Sequence, residues 1–178
     1  FMAALLTSDY GDSDRIAIEI EECRNMGINI MAPDINESFG TFTAVTAGTK
    51  ENRPVRAGEK VDTIRFGLKA IKNVGEHIVD IIINERKKNG PYKDIFDLLE
   101  RVTDKDLNKK SLESLIKSGA MESLGERGLL LSNLEKLLNY NKELSKIQES
   151  KQVSLFADLP LNAGLSKVSL SQAPPAEQ

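Results

Sequence analysis

Aromatic residues are scarce in this chain, and cysteine and histidine are scarcer. Its 178 residues include no Trp, one Cys and one His, and aromatics make up only 5%. A lone Cys23 excludes a disulfide framework and a cysteine-rich metal site, and on a helix face it reads as a small buried apolar residue. The single His77 has no second His and no Cys nearby, so no catalytic constellation and no metal-ligand set can be assembled from the sequence. No apolar run approaches the roughly 18 residues of a membrane span. The opening Phe1-Met2-Ala3-Ala4-Leu5-Leu6 is too short, and lacks the basic flank, for a signal peptide. These absences predict a cytoplasmic chain with no membrane contact. Because Phe1 falls inside an apolar helical pattern, the chain also reads as the cut end of a larger protein.

A strong positive charge is missing too. The formal net charge is −3. Residues 1–63 carry 6 Lys and Arg against 11 Asp and Glu, residues 64–128 carry 13 against 11, and residues 129–178 carry 5 against 5. The basic excess is slight and confined to the middle, so binding to nucleic acid through charge alone would be weak and lost in salt.

What the chain does have is apolar spacing of helical period, with Leu, Ile, Lys and Glu dominant. Asp12-Ser13-Asp14 is a helix start, since short oxygen side chains cap free N–H groups. Ile16, Ile20, Cys23 and Met26 follow at turn spacing, and Gly27 stops the helix. Residues 28–31 read as extended. In residues 33–38, Asp34 and Asn36 are predicted to cap backbone groups of a structural turn. Two β-type runs, Phe42-Thr43-Ala44-Val45 and Thr63-Ile64-Arg65-Phe66, predict a small β-hairpin with a long polar tip. Helices are then predicted over 68–72, 76–89, 95–102 (capped by Asp94) and 109–118 (capped by Asn108), with Gly90 and Gly119 as stops. A long amphipathic helix is predicted from about Arg127 to Gln148. Beyond Ser150 the composition turns to Ser, Pro, Ala and Gln, which reads as a disordered linker. The fold class is thus mainly α with a small β-hairpin.

The segment around Asn73-Val74-Gly75 has a specific form: a short helix, a tight turn, and a second helix that opens at once. Asn73 and Gly75 tolerate tight turns, and Val74 between them can tuck into a core. Free N–H groups of Glu76 and His77, with the helix dipole, make an anion site that a DNA phosphate would fit without base reading. Lys69 and Lys72 flank the turn. A glycine-containing turn between helices is also common as plain architecture, and spacing alone leaves both readings open. The form resembles the helix-hairpin-helix family, whose usual turn is apolar-x-Gly-apolar-Gly; here Asn73 stands at the first glycine, and Asn adopts left-handed angles better than other non-glycine residues. A second, weaker hairpin is read at Ser118-Gly119-Ala120, between a helix opened by Lys109 and Lys110 and a short piece over 121–124. Lys69, Lys72, Asn73, Val74, Gly75, Glu76, His77, Lys109 and Lys110 are the candidate DNA contacts.

Five blocks in one order carry a broader resemblance: Phe1-Met2-Ala3-Ala4-Leu5-Leu6-Thr7-Ser8-Asp9; Ile20-Glu21-Glu22-Cys23-Arg24 with Met26-Gly27-Ile28; Pro33-Asp34-Ile35-Asn36-Glu37-Ser38; Ile64-Arg65-Phe66-Gly67-Leu68 with Ala70-Ile71-Lys72-Asn73-Val74-Gly75; and Leu115-Ile116-Lys117-Ser118-Gly119-Ala120. Together they resemble the alpha subunits of bacterial DNA polymerase III, the C-family replicative DNA polymerases. The resemblance implies 1–63 as the end of the fingers region, 64–125 as a tandem helix-hairpin-helix unit, 126–149 as a long helix and 150–178 as a tail. It implies that the catalytic palm and its magnesium lie outside this stretch, so that no cofactor and no catalytic residue is expected here although the parent is a nucleotidyltransferase. Implied partners are duplex DNA, the sliding clamp and other parts of the polymerase. The alternative is an architectural connector without DNA contact.

In the tail, Gln152-Val153-Ser154-Leu155-Phe156 resembles the family's clamp-binding pentapeptide. Independently of that likeness, a Leu-Phe pair in a polar tail either anchors in a partner's pocket or folds back on the long helix. Gln152 could fix register with its donor and acceptor.

Overall fold

The computed structural model describes residues 1–45 and 63–153. Helix α1 spans Met2–Ser8 and α2 spans Ser13–Asn25. The Asp12 carboxylate caps α2 by accepting from the N–H groups of Asp14 and Arg15, and Gly27 follows its end at φ 72°. Both ends were legible because a capping carboxylate and a left-handed glycine each meet a need that few residues can meet. Cys23 is fully buried, as its helical phase predicts.

Three short strands follow: β1 (Asn29–Met31), β2 (Thr43–Val45) and β3 (Thr63–Arg65). β2 and β3 pair antiparallel, with Ala44 opposite Ile64. This is the predicted hairpin pairing, and its tip, residues 46–62, lies outside the described residues. The hairpin reading is incomplete, however, because β1 adds a parallel partner to β3, giving the order β1-β3-β2. All three residues of the central β3 are buried, Thr63 and Arg65 on one face and Ile64 on the other, and Arg65 is satisfied there by the Ala32 carbonyl and the Glu37 carboxylate. Phe66 meets Phe42 edge-to-face at 4.6 Å and packs against both hydrophobic cores of the molecule.

The smaller core joins α1, α2 and the sheet through Met2, Leu6, Ile16, Cys23, Phe42 and Ile64. Glu19 of α2 is buried there at 8% exposure. Burial, then the neighbouring Asp9 carboxyl and its charge, raises its pKa. A raised folded-state value stabilises the fold below the unfolded carboxyl value, and that stability is lost as pH rises through the folded value. Glu19→Gln is therefore expected to raise the melting temperature at pH 7 and to lose that advantage towards pH 4. A melting temperature lowered at pH 7 would contradict this account.

The larger core is helical. It is built by a 3-10 helix (Leu68–Ala70), α3 (Glu76–Asn89), α4 (Ile95–Arg101), α5 (Lys109–Lys117), α6 (Arg127–Ser132) and α7 (Leu134–Val153). The predicted caps Asp94 and Asn108 hold, and Asn108 with Ser111 forms a reciprocal capping box. Residues 68–72, read as an ordinary short helix, make only the 3-10 turn, because the chain must reverse at Asn73. The long helix predicted from Arg127 is broken. Buried Asn133 donates its side-chain N–H to the Leu129 carbonyl at 2.9 Å, and the backbone leaves helical angles there. A side chain that competes for a backbone acceptor interrupts a helix in this way. α7 also continues to Val153, past the expected boundary at 149. Asn141 of α7 donates to the Leu99 and Val102 carbonyls at 2.9 Å each, satisfying the buried carboxyl end of α4.

The turn at 33–38 ties the two cores together. Asp34 accepts from the Asn36 N–H, as predicted, and Asn36 exchanges two hydrogen bonds with the Tyr92 backbone. Arg86 of α3 donates to the carbonyls of Ile35 and Ser38. Ile35 is fully buried in the helical core.

Candidate nucleic-acid interface

The first hairpin is assembled from backbone angles. Asn73 adopts φ 63°, the left-handed region a glycine would occupy, and it is the one described non-glycine residue with positive φ. Its side-chain N–H reaches Ser114 Oγ of α5 at 3.4 Å. Val74 is buried at 7% exposure and fastens the turn to the helical core. Gly75 then caps α3 at φ −69° and ψ 150°, angles that any residue accepts. A Cβ added there would meet nothing within 4 Å. The cap position supplies no side-chain hydrogen bond to α3, so the first-turn N–H groups have no partner from it. The fold thus has no steric need for glycine at 75, and its absence of side chain leaves the amino end of a 14-residue helix approachable.

The charges around this end differ from the simple basic flank read from the sequence. Lys69 Nζ lies 3.2 Å from Glu76 Oε2 and 3.1 Å from Asp80 Oδ1, with its side chain only 21% exposed. Asp80, then Glu76, raise the Lys69 pKa against the opposing effect of burial. Tyr10 donates to the other Glu76 oxygen at 2.7 Å, and this bond with the Lys69 contact lowers the Glu76 value. Lys69 is therefore committed to a local network, and its charge is offset. Lys72 is exposed beside the turn and makes no ion pair among the described residues. Tyr10 and Asp80 were missed by sequence reasoning because they come from α1's end and from the second turn of α3.

The second hairpin is less like the first. Gly119 ends α5 as expected, at φ 83°, and the short piece over 121–124 consists of turns. The next helix, α6, begins at Arg127, and the Glu126 carboxylate accepts from the N–H groups of Gly128 and Leu129. Those bonds lower the Glu126 pKa. The anion seat at this helix end is filled by the chain's own carboxylate. Lys109 and Lys110 are both exposed, and Lys109 lies 3.1 Å from the exposed Glu135.

His77, in the first turn of α3, brings its Nδ1 to 3.0 Å from Asp106 Oδ2 and 3.8 Å from Asp104 Oδ1. Nearly thirty residues separate these partners, so no spacing motif announced them. Gln152 and Val153 form the last residues of α7, while Ser154, Leu155 and Phe156 lie outside the described residues. Among the described residues no helix is long and apolar enough to cross a membrane.

The pairing of a left-handed turn at Asn73 with a second helix opened at Gly75 is matched by a family model described as the helix-hairpin-helix motif, over residues 27–129. The chain belongs to the helix-hairpin-helix family. That match contains both hairpins and the small sheet. The resemblance carried by the five sequence blocks is met as well. The chain is 40% identical over 89% of its length to a DNA polymerase III subunit alpha of Thermus aquaticus, and 41% identical over 89% to one of Borreliella burgdorferi. A third, of Deinococcus radiodurans, is 43% identical over 78% of the chain. The helix-hairpin-helix chain spans only 12%, 13% and 9% of these three relatives.

Proposed function

We propose that this chain is a non-catalytic segment of a cytoplasmic replicative DNA polymerase that grips duplex DNA by its phosphates at the first hairpin. The observation that carries the reading is the uncapped amino end of α3, open at Gly75 and flanked by exposed Lys72. Free N–H groups and the positive helix end draw a phosphate oxygen, and backbone contact of this kind carries no sequence preference. With Lys69 offset by Glu76 and Asp80, the grip is weak alone and works beside the rest of a polymerase. The 152–156 segment is the proposed tether to the sliding clamp, which raises processivity because a lost contact re-forms at high effective concentration.

Fluorescence anisotropy of labelled duplex with the 178-residue chain over a salt series tests the grip. Lys72→Glu is expected to weaken binding alike for unrelated sequences and to reduce the log–log salt slope by about 1. A binding curve that Lys72→Glu leaves unchanged would make the segment an architectural connector instead.

A further inference from the structure

We propose that His77, Asp104 and Asp106 form a binding site for a divalent transition-metal ion of the zinc class. The three donor atoms, one imidazole nitrogen and two carboxylate oxygens, lie within 4.8 Å of one another. His77 Nδ1 stands 3.0 Å from one carboxylate oxygen and 3.8 Å from the other. Bonds of about 2.0 Å in a tetrahedral zinc site place neighbouring donors about 3.3 Å apart, between those two separations. The two histidine–carboxylate separations thus bracket the spacing of a coordinated pair.

The donors are carried on rigid backbone. His77 precedes fully buried Ile78 on the first turn of α3. Asp104 accepts from the Asp106 N–H at 2.8 Å, and its carbonyl accepts from Leu107 N–H at 3.0 Å, closing a turn anchored by buried Leu107. Donors held in this way lose little freedom on binding. An imidazole among the donors selects zinc-class ions over magnesium, which prefers oxygen ligands and retains its water. On binding, the metal takes the Nδ1 lone pair. In the neutral imidazole the ring proton then sits on Nε2, and the hydrogen bond from Nδ1 to Asp106 is exchanged for the metal bond. Three protein donors leave a fourth position for water or for an oxygen of a bound anion.

The site adjoins the amino end of α3, so an ion there cancels the two carboxylate charges beside the hairpin. If the phosphate grip proposed above holds, on which this consequence rests, zinc tightens duplex binding. Because the chain has one histidine, its imidazole NMR signals report this site alone. Titration of the DNA-free chain with Zn2+ is expected to shift those signals to saturation at one equivalent, with Mg2+ leaving them in place. Asp104→Asn and Asp106→Asn are each expected to weaken binding at least about tenfold, since neither carboxylate is dispensable in a three-donor site. Imidazole signals unmoved by millimolar Zn2+ would overturn the site in the unaltered chain, whatever the variants' stability. A zinc affinity unaffected by both substitutions would overturn it equally. Duplex binding measured with and without chelator then separates the two readings: a filled metal site on a chain that ignores DNA removes the phosphate grip and leaves the metal site standing.

Discussion

Leu155→Ala combined with Phe156→Ala is expected to abolish capture of the chain by the sliding clamp. The two side chains are adjacent, whereas the leucines that follow, Leu159, Leu161, Leu165 and Leu170, stand singly among polar and small residues. Their burial in a partner's pocket contributes about 1.5–3 kcal/mol each. After the cost of ordering a peptide, that corresponds to a dissociation constant of roughly micromolar. Loss of about 3 kcal/mol or more weakens binding by over a hundredfold, beyond the range of a titration with purified clamp. Gln152→Ala is a milder change, since the amide sets register while the pair supplies the affinity. Surface plasmon resonance against immobilised clamp reads both. Affinity that survives the double substitution would remove residues 152–156 from the proposed tether, and duplex binding by the hairpin should not change in either variant.

Arg101→Met is expected to be the most destabilising of the substitutions considered. The guanidinium holds α3, α4 and the intervening turn together. Its Nε lies 3.1 Å from Glu85 Oε1 and its Nη1 3.2 Å from Asp97 Oδ2. Nη2 donates to the Gly90 and Glu85 carbonyls at 2.9 and 3.2 Å, and the group sits 4.4 Å over the Tyr92 ring. Methionine keeps the packing and leaves two half-buried carboxylates and two carbonyls without their donor. The expected loss is about 3 kcal/mol, the lower end for a buried pair broken on one side. Thermal unfolding should register it as a fall of roughly 10 °C. An acid titration adds a sign. Hydrogen bonds from Asn89 and Arg101 lower the Glu85 pKa. Its contribution is therefore present above the unfolded carboxyl value and lost as pH falls through the folded one. The two proteins should converge in stability in acid; a gap that widens there would refute the role given to Glu85.

Legibility in the sequence followed the locality of the cause. Asp12, Asp94 and Asn108 could be read as caps because each bonds to N–H groups two or three residues away. Gly27, Gly90, Gly119 and Asn73 could be read as left-handed because φ is a property of one residue. The parallel pairing of β1 with β3 joins residues more than thirty positions apart, and three-residue strands leave too little alternation to announce a register. The break at Asn133 was hidden by leucines that keep helical spacing on both sides of it. At the site, the hairpin's backbone was legible and its electrostatics were not. Whether Lys69 is free depends on how the 3-10 turn packs beside α3, which carries Glu76 and Asp80, and on Tyr10 reaching Glu76 from the turn after α1. His77 looked isolated for the same reason, its acidic neighbours being supplied by the turn before α5.

The amide clasp of Asn141 on the end of α4 gives α7 the character of a ruler. From Asn141 to Val153 the helix runs unbroken, a reach of about 18 Å at 1.5 Å per residue. Its base is held against the hairpin unit by these bonds, by Ser145 donating to the Thr103 carbonyl and by Leu134, Leu137 and Leu138 in the helical core. Each residue added along this arm advances its tip by about 1.5 Å and turns it by about 100°. Length and heading are therefore coupled. One inserted residue would act on the tip mainly as a rotation, and a full turn of helix mainly as a displacement.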